Sequence, residues 1–239
     1  MTSKFEFLSP HYPQLYKISQ ISEKLYEIDP NSTISKSRLF TEKMMEIIFK
    51  VEELEILGGS QVDQIKELFS RNVLPKGVKN LFHKIRKLGN RAVHKGDLSS
   101  HQALIVLRAC YKLAVWFVAT YEKIFIDDGD YDMPINTTTK TVNELETEVD
   151  KAPIVSEAVE EKIKNENYLP ALVAERRQRS KEYAERLGLG AEMLAGALGL
   201  IPAVIGAATL GVSPVGLAAG VISGVGYLAF KYKKRSKRK

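Results

Sequence analysis

Between Leu187 and Phe230 the sequence carries a single charged residue, Glu192. A run this long and apolar is difficult to cover with anything but lipid or other protein. Ser213-Pro214 divides it. Met193 to Val212 supplies 20 residues, the length of a bilayer core, and Val215 to Phe230 supplies 16, which span with help from Tyr227 and flanking lysines. The expectation is a two-helix transmembrane hairpin over residues 187–230 with a tight Ser-Pro turn. Both flanks are basic: Arg176, Arg177, Arg179, Lys181 and Arg186 before it, and KYKKRSKRK (231–239) after it. Positive charge stays on the cytoplasmic side, so the expected location is the cytoplasmic membrane, with the N-terminal domain and the basic tail facing the cytoplasm. Gly216, Gly220 and Gly224 share one helical stripe and let a neighbouring helix pack closely, within the hairpin or between protomers. The alternative is a Gly/Ala-rich hairpin buried in a soluble assembly.

The tail also dominates the charge balance. The chain of 239 residues has a net charge of +6, and its last nine residues contribute seven positive charges, so the remainder is close to −1. The basic character therefore belongs to the tail and says little about nucleic-acid binding by the body. The single cysteine, Cys110, sits among apolar residues and is expected to be a buried, inert thiol. MTSKFEFLSPHYP has no apolar core of a signal peptide, so none is expected. No motif for a metal or cofactor stands out.

Residues 1–126 are expected to form an all-α bundle. Leu15, Ile18, Ile21 and Leu25 repeat at helical spacing within His11–Ile28, and Asp29-Pro30-Asn31 interrupts them. Thr33–Leu57, Ser60–Asn72 and Val78–His94 follow as helices, the last with Val78, Leu81, Phe82, Ile85 and Leu88 on its apolar side. Ser99 and Gln102 suit a capping box for a fifth helix running to about Phe125. That helix is apolar on most sides, but His101, Arg108, Lys112 and Glu122 argue against a membrane span and for the centre of a bundle.

Residues 127–153 are rich in acids and poor in large apolar groups, and are expected to be a flexible acidic linker. Asp127, Asp128, Asp130 and Asp132 suggest a calcium loop, but the glycine and terminal glutamate such a loop needs are missing. Residues 154–186 are expected to be charged stalk helices, with Glu175/Arg179 and Glu182/Arg186 in the favourable order four apart.

The stretch RKLGNRAVH, Arg86 to His94, is the candidate site. Arg86, Asn90 and His94 recur every four residues, so they lie along one side of a helix about 12 Å from end to end. Arginine with histidine suits binding of a phosphate. It also suits metal-independent RNA cleavage, with His94 as acid or base and an arginine stabilising the phosphorane. The structural alternative is a polar seam between this helix and the second, with Arg86 paired to Glu42 or Glu46.

Four ordered blocks carry a resemblance: FEFLSPHYPQLY, DPNSTISKSRLFTEKMMEIIF, LPKGVKNLFHKIRKLGNRAVH and HQALIVLRACYKLAVWF. Together they resemble the helical domain of unknown function at the N-terminus of type I restriction enzyme motor (R) subunits. SRLFTE (Arg38, Glu42) and GNRAVH (Gly89, Asn90, Arg91, His94) are its most specific parts. That domain is in turn similar to HEPN bundles of antiviral and toxin systems, whose ribonucleases dimerise and pair across the interface a motif in which four to six residues separate an arginine from a histidine. Here seven residues separate Arg86 from His94 and two separate Arg91 from His94, which departs from that pattern. No P-loop is present, so DNA translocation by that route is not expected.

Taken with the apolar hairpin, the resemblance implies a membrane-anchored bacterial defence protein that binds RNA or a nucleotide, and cleaves RNA if Arg86, Asn90 and His94 are catalytic. Arg38, Glu42 and Arg91 would line the polar seam. A homodimer or higher oligomer and partner proteins of a defence system are implied as well. Two alternatives remain: a sensor or oligomerisation bundle with a membrane-disrupting hairpin, or a non-enzymatic membrane adaptor.

Overall fold

Single side chains fix where the helices begin and end. The computed structural model describes residues 3–56, 59–126, 131, 140–166 and 170–189. Among these, after a 3-10 turn at Glu6–Leu8, run α1 (Pro13–Leu25), α2 (Pro30–Val51), α3 (Gln61–Ser70), α4 (Lys76–Lys95), α5 (Ser100–Tyr121), α6 (Val142–Lys151), α7 (Glu157–Glu166) and α8 (Pro170–Arg186). No strand occurs among the described residues, and the fold is all-α.

Helix α2 starts three residues earlier than its apolar pattern suggests. The Asp29 carboxylate accepts from the N–H groups of Asn31 (3.0 Å) and Ser32 (3.1 Å), and Pro30 takes the first helical position, where no N–H is needed. Helix α4 ends at Gly96, in the left-handed region at φ 62°. Asn31 then ties the α4–α5 connection to the start of α2. Its amide donates to the Gly96 carbonyl (3.1 Å) and its oxygen accepts from the Leu98 N–H (3.2 Å). Ser99 and Gln102 form the expected capping box.

Helix α5 is the axis of the bundle. Leu113 to Tyr121 are all buried, and α2, α4 and α8 pack around them. By length and composition α5 could cross a membrane, but its apolar surface is spent inside the protein. Trp116, fully buried, donates its indole N–H to the carbonyl and hydroxyl oxygens of Ser180, each at 3.2 Å.

Two expectations change. Part of the acidic stretch assigned as a linker is helix α6, which packs on α1. Leu145 and Val149, four apart, bury its one apolar side, and Lys17 pairs with Glu148 at 2.5 Å. Lys140 and Lys17, which donate to Glu148, pull its carboxyl down to about 2. Tyr131, from the same stretch, is buried against Phe5 and Tyr111. The remainder of 127–139, including the aspartates of the calcium alternative, lies outside the described residues.

The stalk is likewise part of the bundle. Helix α8 lies along α5 with Arg176, Ser180, Tyr183 and Ala184 buried. The Glu175–Arg179 pair forms, whereas Arg186 lies over the ring of Tyr183. Leu187 and Leu189, the first apolar residues of the expected hairpin, are buried as well. A Cβ on Gly77 would stand 2.1 Å from the Leu189 carbonyl oxygen, so glycine is what lets this segment close over the start of α4. The described residues all fall within one compact unit. Residues 190–230, with Gly216, Gly220 and Gly224, and the tail 231–239 lie outside the described residues.

Candidate anion-binding face on α4

The glycine in RKLGNRAVH has a packing reason. A Cβ on Gly89 would stand 2.7 Å from Cδ and 2.8 Å from Cβ of Arg38. The two helices approach so closely that the Arg38 side chain lies across α4 where a side chain would otherwise be. Glycine inside a helix costs about 1 kcal/mol relative to alanine, and this contact is the compensation. Arg38 is held by Glu42 of its own helix, Nε to Oε1 at 2.9 Å. SRLFTE and GNRAVH are therefore two sides of one contact.

The seam does not include Arg86 as an ion pair. Glu42 is engaged by Arg38, and Glu46 by Lys43 at 2.9 Å. Arg86 is half-buried, its Nε is shielded from solvent, and among the described residues that atom has no hydrogen-bond partner. Asn90 is half-buried and His94 is exposed. Among the described residues no side chain lies within hydrogen-bond distance to orient His94. The three residues thus rotate from interior to solvent along α4 without converging on a point. Arg91 faces solvent and forms a two-pronged pair with Asp97 at 3.0 and 2.9 Å, which pushes its guanidinium pKa up.

The structure draws attention to a different set. From Lys76 to Lys95, α4 carries seven lysines and arginines and no acid. Its apolar residues Val78, Leu81, Phe82 and Ile85 are buried, while Lys76, Lys84, Lys87 and Arg91 are exposed and Lys79 and Arg86 half-buried. A shallow depression of about 500 Å³ is lined by Asn80, His83, Lys84, Arg86 and Lys87. Among the described residues no carboxylate is within ion-pair distance of Lys84, Arg86 or Lys87. His83, half-buried here, titrates below the ordinary imidazole range because of burial and then the charges of Arg86, Lys79, Lys87 and Lys66. Whole-chain charge balance hides this face, because acidic helices elsewhere cancel it. The legible signal was a run of 20 residues with no acid.

Cys110 is buried and its thiol is pushed up to about 12 by that burial, so it plays no part in chemistry near neutral pH.

These features define an all-α domain with a cationic outer helix. Residues 20–123, the span from within α1 to the end of α5, match a domain of unknown function, DUF4145. The match lies in the N-terminal half of the chain. The chain is also 32% identical over 136 residues to the endonuclease subunit of the type I restriction enzyme EcoKI from Escherichia coli strain K12. That alignment covers 56% of this chain but 11% of the subunit. No solved structure matches.

Proposed function

We propose that this protein is a membrane-anchored, restriction-related module whose helical bundle binds nucleic acid, RNA in the first instance, through α4. The observation that carries the reading is the unpartnered cationic face around Arg86 on a helix with no acid. Such a face attracts a polyanion by releasing its counterions. The similarity to a restriction endonuclease subunit supports a role beside nucleic acids. Attachment to the membrane rests on the apolar sequence from Leu187 to Phe230.

Binding is better supported than cleavage. A HEPN-type ribonuclease would need His94 oriented beside an arginine, and His94 is exposed and two helical turns from Arg86. Antiviral defence and dimerisation remain part of the proposal through the family resemblance.

The test uses the full chain in a non-ionic detergent with labelled RNA and fluorescence anisotropy. Lys84→Glu with Lys87→Glu abolishes binding if α4 is the site, and leaves the circular dichroism melting curve in place. Unchanged binding by that variant removes the reading. RNA integrity measured alongside, with His94→Ala as control, decides cleavage. Alkaline carbonate extraction of cell membranes decides anchoring.

A further inference from the structure

Nucleic-acid binding by α4 leaves open which part of the polymer is read. The lining of the depression answers by what it contains and what it lacks. Four of its five side chains, His83, Lys84, Arg86 and Lys87, are cationic or become so on protonation, and the fifth is Asn80. None is aromatic. Single-stranded bases are held by stacking on aromatic faces. The nearby Phe69 ring is no free platform, since the Lys79 ammonium lies 3.7 Å above it. Of the apolar residues of α4, Val78, Leu81, Phe82, Ile85 and Ala92 are buried, and the exposed Val93 does not line the depression. What is left for a ligand is the set of cationic donors on His83, Lys84, Arg86 and Lys87.

We propose that Asn80, His83, Lys84, Arg86 and Lys87 form a seat for a phosphodiester group, that the protein reads nucleic-acid backbone without its bases, and that His83 takes up a proton as the phosphate binds. The inference rests on the nucleic-acid reading above. Proton uptake follows from the neighbours of His83. Lys79, Arg86 and Lys87 of α4 and Lys66 of α3 oppose its charge, in addition to burial. A phosphate among these cations offsets their repulsion, so the imidazole titrates higher in the complex than in the free protein. Affinity is therefore greatest below the free-state titration of His83, and the gain is lost as pH rises through the bound-state one.

The experiment measures binding of the full chain in non-ionic detergent to two labelled probes: a mixed-sequence single-stranded oligonucleotide of about 20 residues and an abasic oligomer with the same number of phosphates. Each is measured across salt and from about pH 8 to about pH 5.5. The two probes are expected to bind within about threefold of each other. Arg86→Gln weakens both about tenfold and reduces the salt slope by about one. His83→Gln removes the rise in affinity on acidification. Lys84→Ala with Lys87→Ala, at exposed positions, repeats the loss should Arg86→Gln disturb folding, which circular dichroism reports. The inference is overturned, with the nucleic-acid reading intact, if the base-bearing probe binds and the abasic one does not. It is equally overturned if both bind and neither substitution in the seat changes affinity or its pH dependence. If neither probe binds, both readings fail.

Discussion

Helices α4 and α8 are both rich in positive charge, and the bundle uses them in opposite ways. Helix α8 carries Arg176, Arg177, Arg179, Lys181 and Arg186, and its arginines are engaged. Glu52 takes two of them: Arg177 at 2.8 and 2.6 Å, and Arg176 at 3.4 Å. Arg176 also lies over the Tyr121 ring, and Arg179 binds Glu175 and the Thr120 carbonyl. In α4 only Arg91 has a carboxylate among the described residues, and Lys79 has a ring. What separates the two is whether the fold brings an acid to the helix, not how many cations the helix holds.

The comparison breaks most visibly at Glu52. Its side chain is 3% exposed, and burial alone would raise its carboxyl. The hydrogen bonds and charge of Arg177, then the charge of Arg176, outweigh burial and hold it below the ordinary range. Glu52→Ala leaves two guanidinium groups without their anion inside the α5–α8 contact. The expected loss is roughly 3 to 5 kcal/mol in urea unfolding. Because the folded-state pKa is depressed, the Glu52 contribution is complete above the ordinary carboxylate range and disappears as pH falls through its folded-state value. The acid limb of stability in the parent should therefore be flatter in the variant.

Glu23 is the opposite buried acid, with no cation within ion-pair distance among the described residues. Ser3 (2.7 Å) and Tyr131 (3.0 Å) donate to it, but burial dominates and raises its carboxyl to about 7. A raised carboxyl stabilises the fold below the unfolded-state pKa and loses that contribution as pH rises through the folded-state one. Stability should decline between the ordinary carboxylate range and about pH 7. Glu23→Gln should remove that decline, with a gain on the order of 3 kcal/mol above it, read from thermal melts across pH.

Gly89→Val tests the contact between SRLFTE and GNRAVH. The added Cβ meets Arg38 atoms at 2.7 and 2.8 Å, one of them next to the backbone, so Arg38 cannot simply swing away. Overpacking of this kind costs roughly 2 kcal/mol. Gly89→Ala, which regains helix propensity, should cost about half as much.

These contrasts show what was legible in sequence. Helix existence followed from periodicity, and the Ser99–Gln102 box and the Gly96 stop fell where their chemistry requires. Arg86, Asn90 and His94 were found as a helical series, yet their unequal burial was not, because it depends on how α4 is rotated against α2. The acidic stretch hid α6, since Leu145 and Val149 are too few to stand out until α1 offers them a surface. The stalk reading of α8 failed for a similar reason. A helix so charged looks solvent-bound unless Glu52, more than 100 residues earlier, is known to face it. The cationic depression at His83, Lys84 and Lys87 was obscured by averaging charge over the whole chain.

The smallest effect lies within α4 itself, between a paired and an unpaired arginine. Arg91 and Asp97 are both well exposed and held to each other across the helix end. With its charge already balanced, Arg91 contributes little to the field that a polyanion meets. Arg91→Ala should weaken RNA binding less than twofold, against about tenfold for Arg86→Gln five residues away. Asp97→Asn is the sharper half of the test. It leaves the guanidinium in place and removes only its anion, so RNA binding should tighten two- to threefold at low salt and return to the parent value at high salt. If Asp97→Asn does nothing while Arg86→Gln still acts, the depression works by local donation to one phosphate and not through the summed field of α4. If the two arginine substitutions weaken binding equally, pairing is irrelevant and the distinction between α4 and α8 collapses to simple exposure.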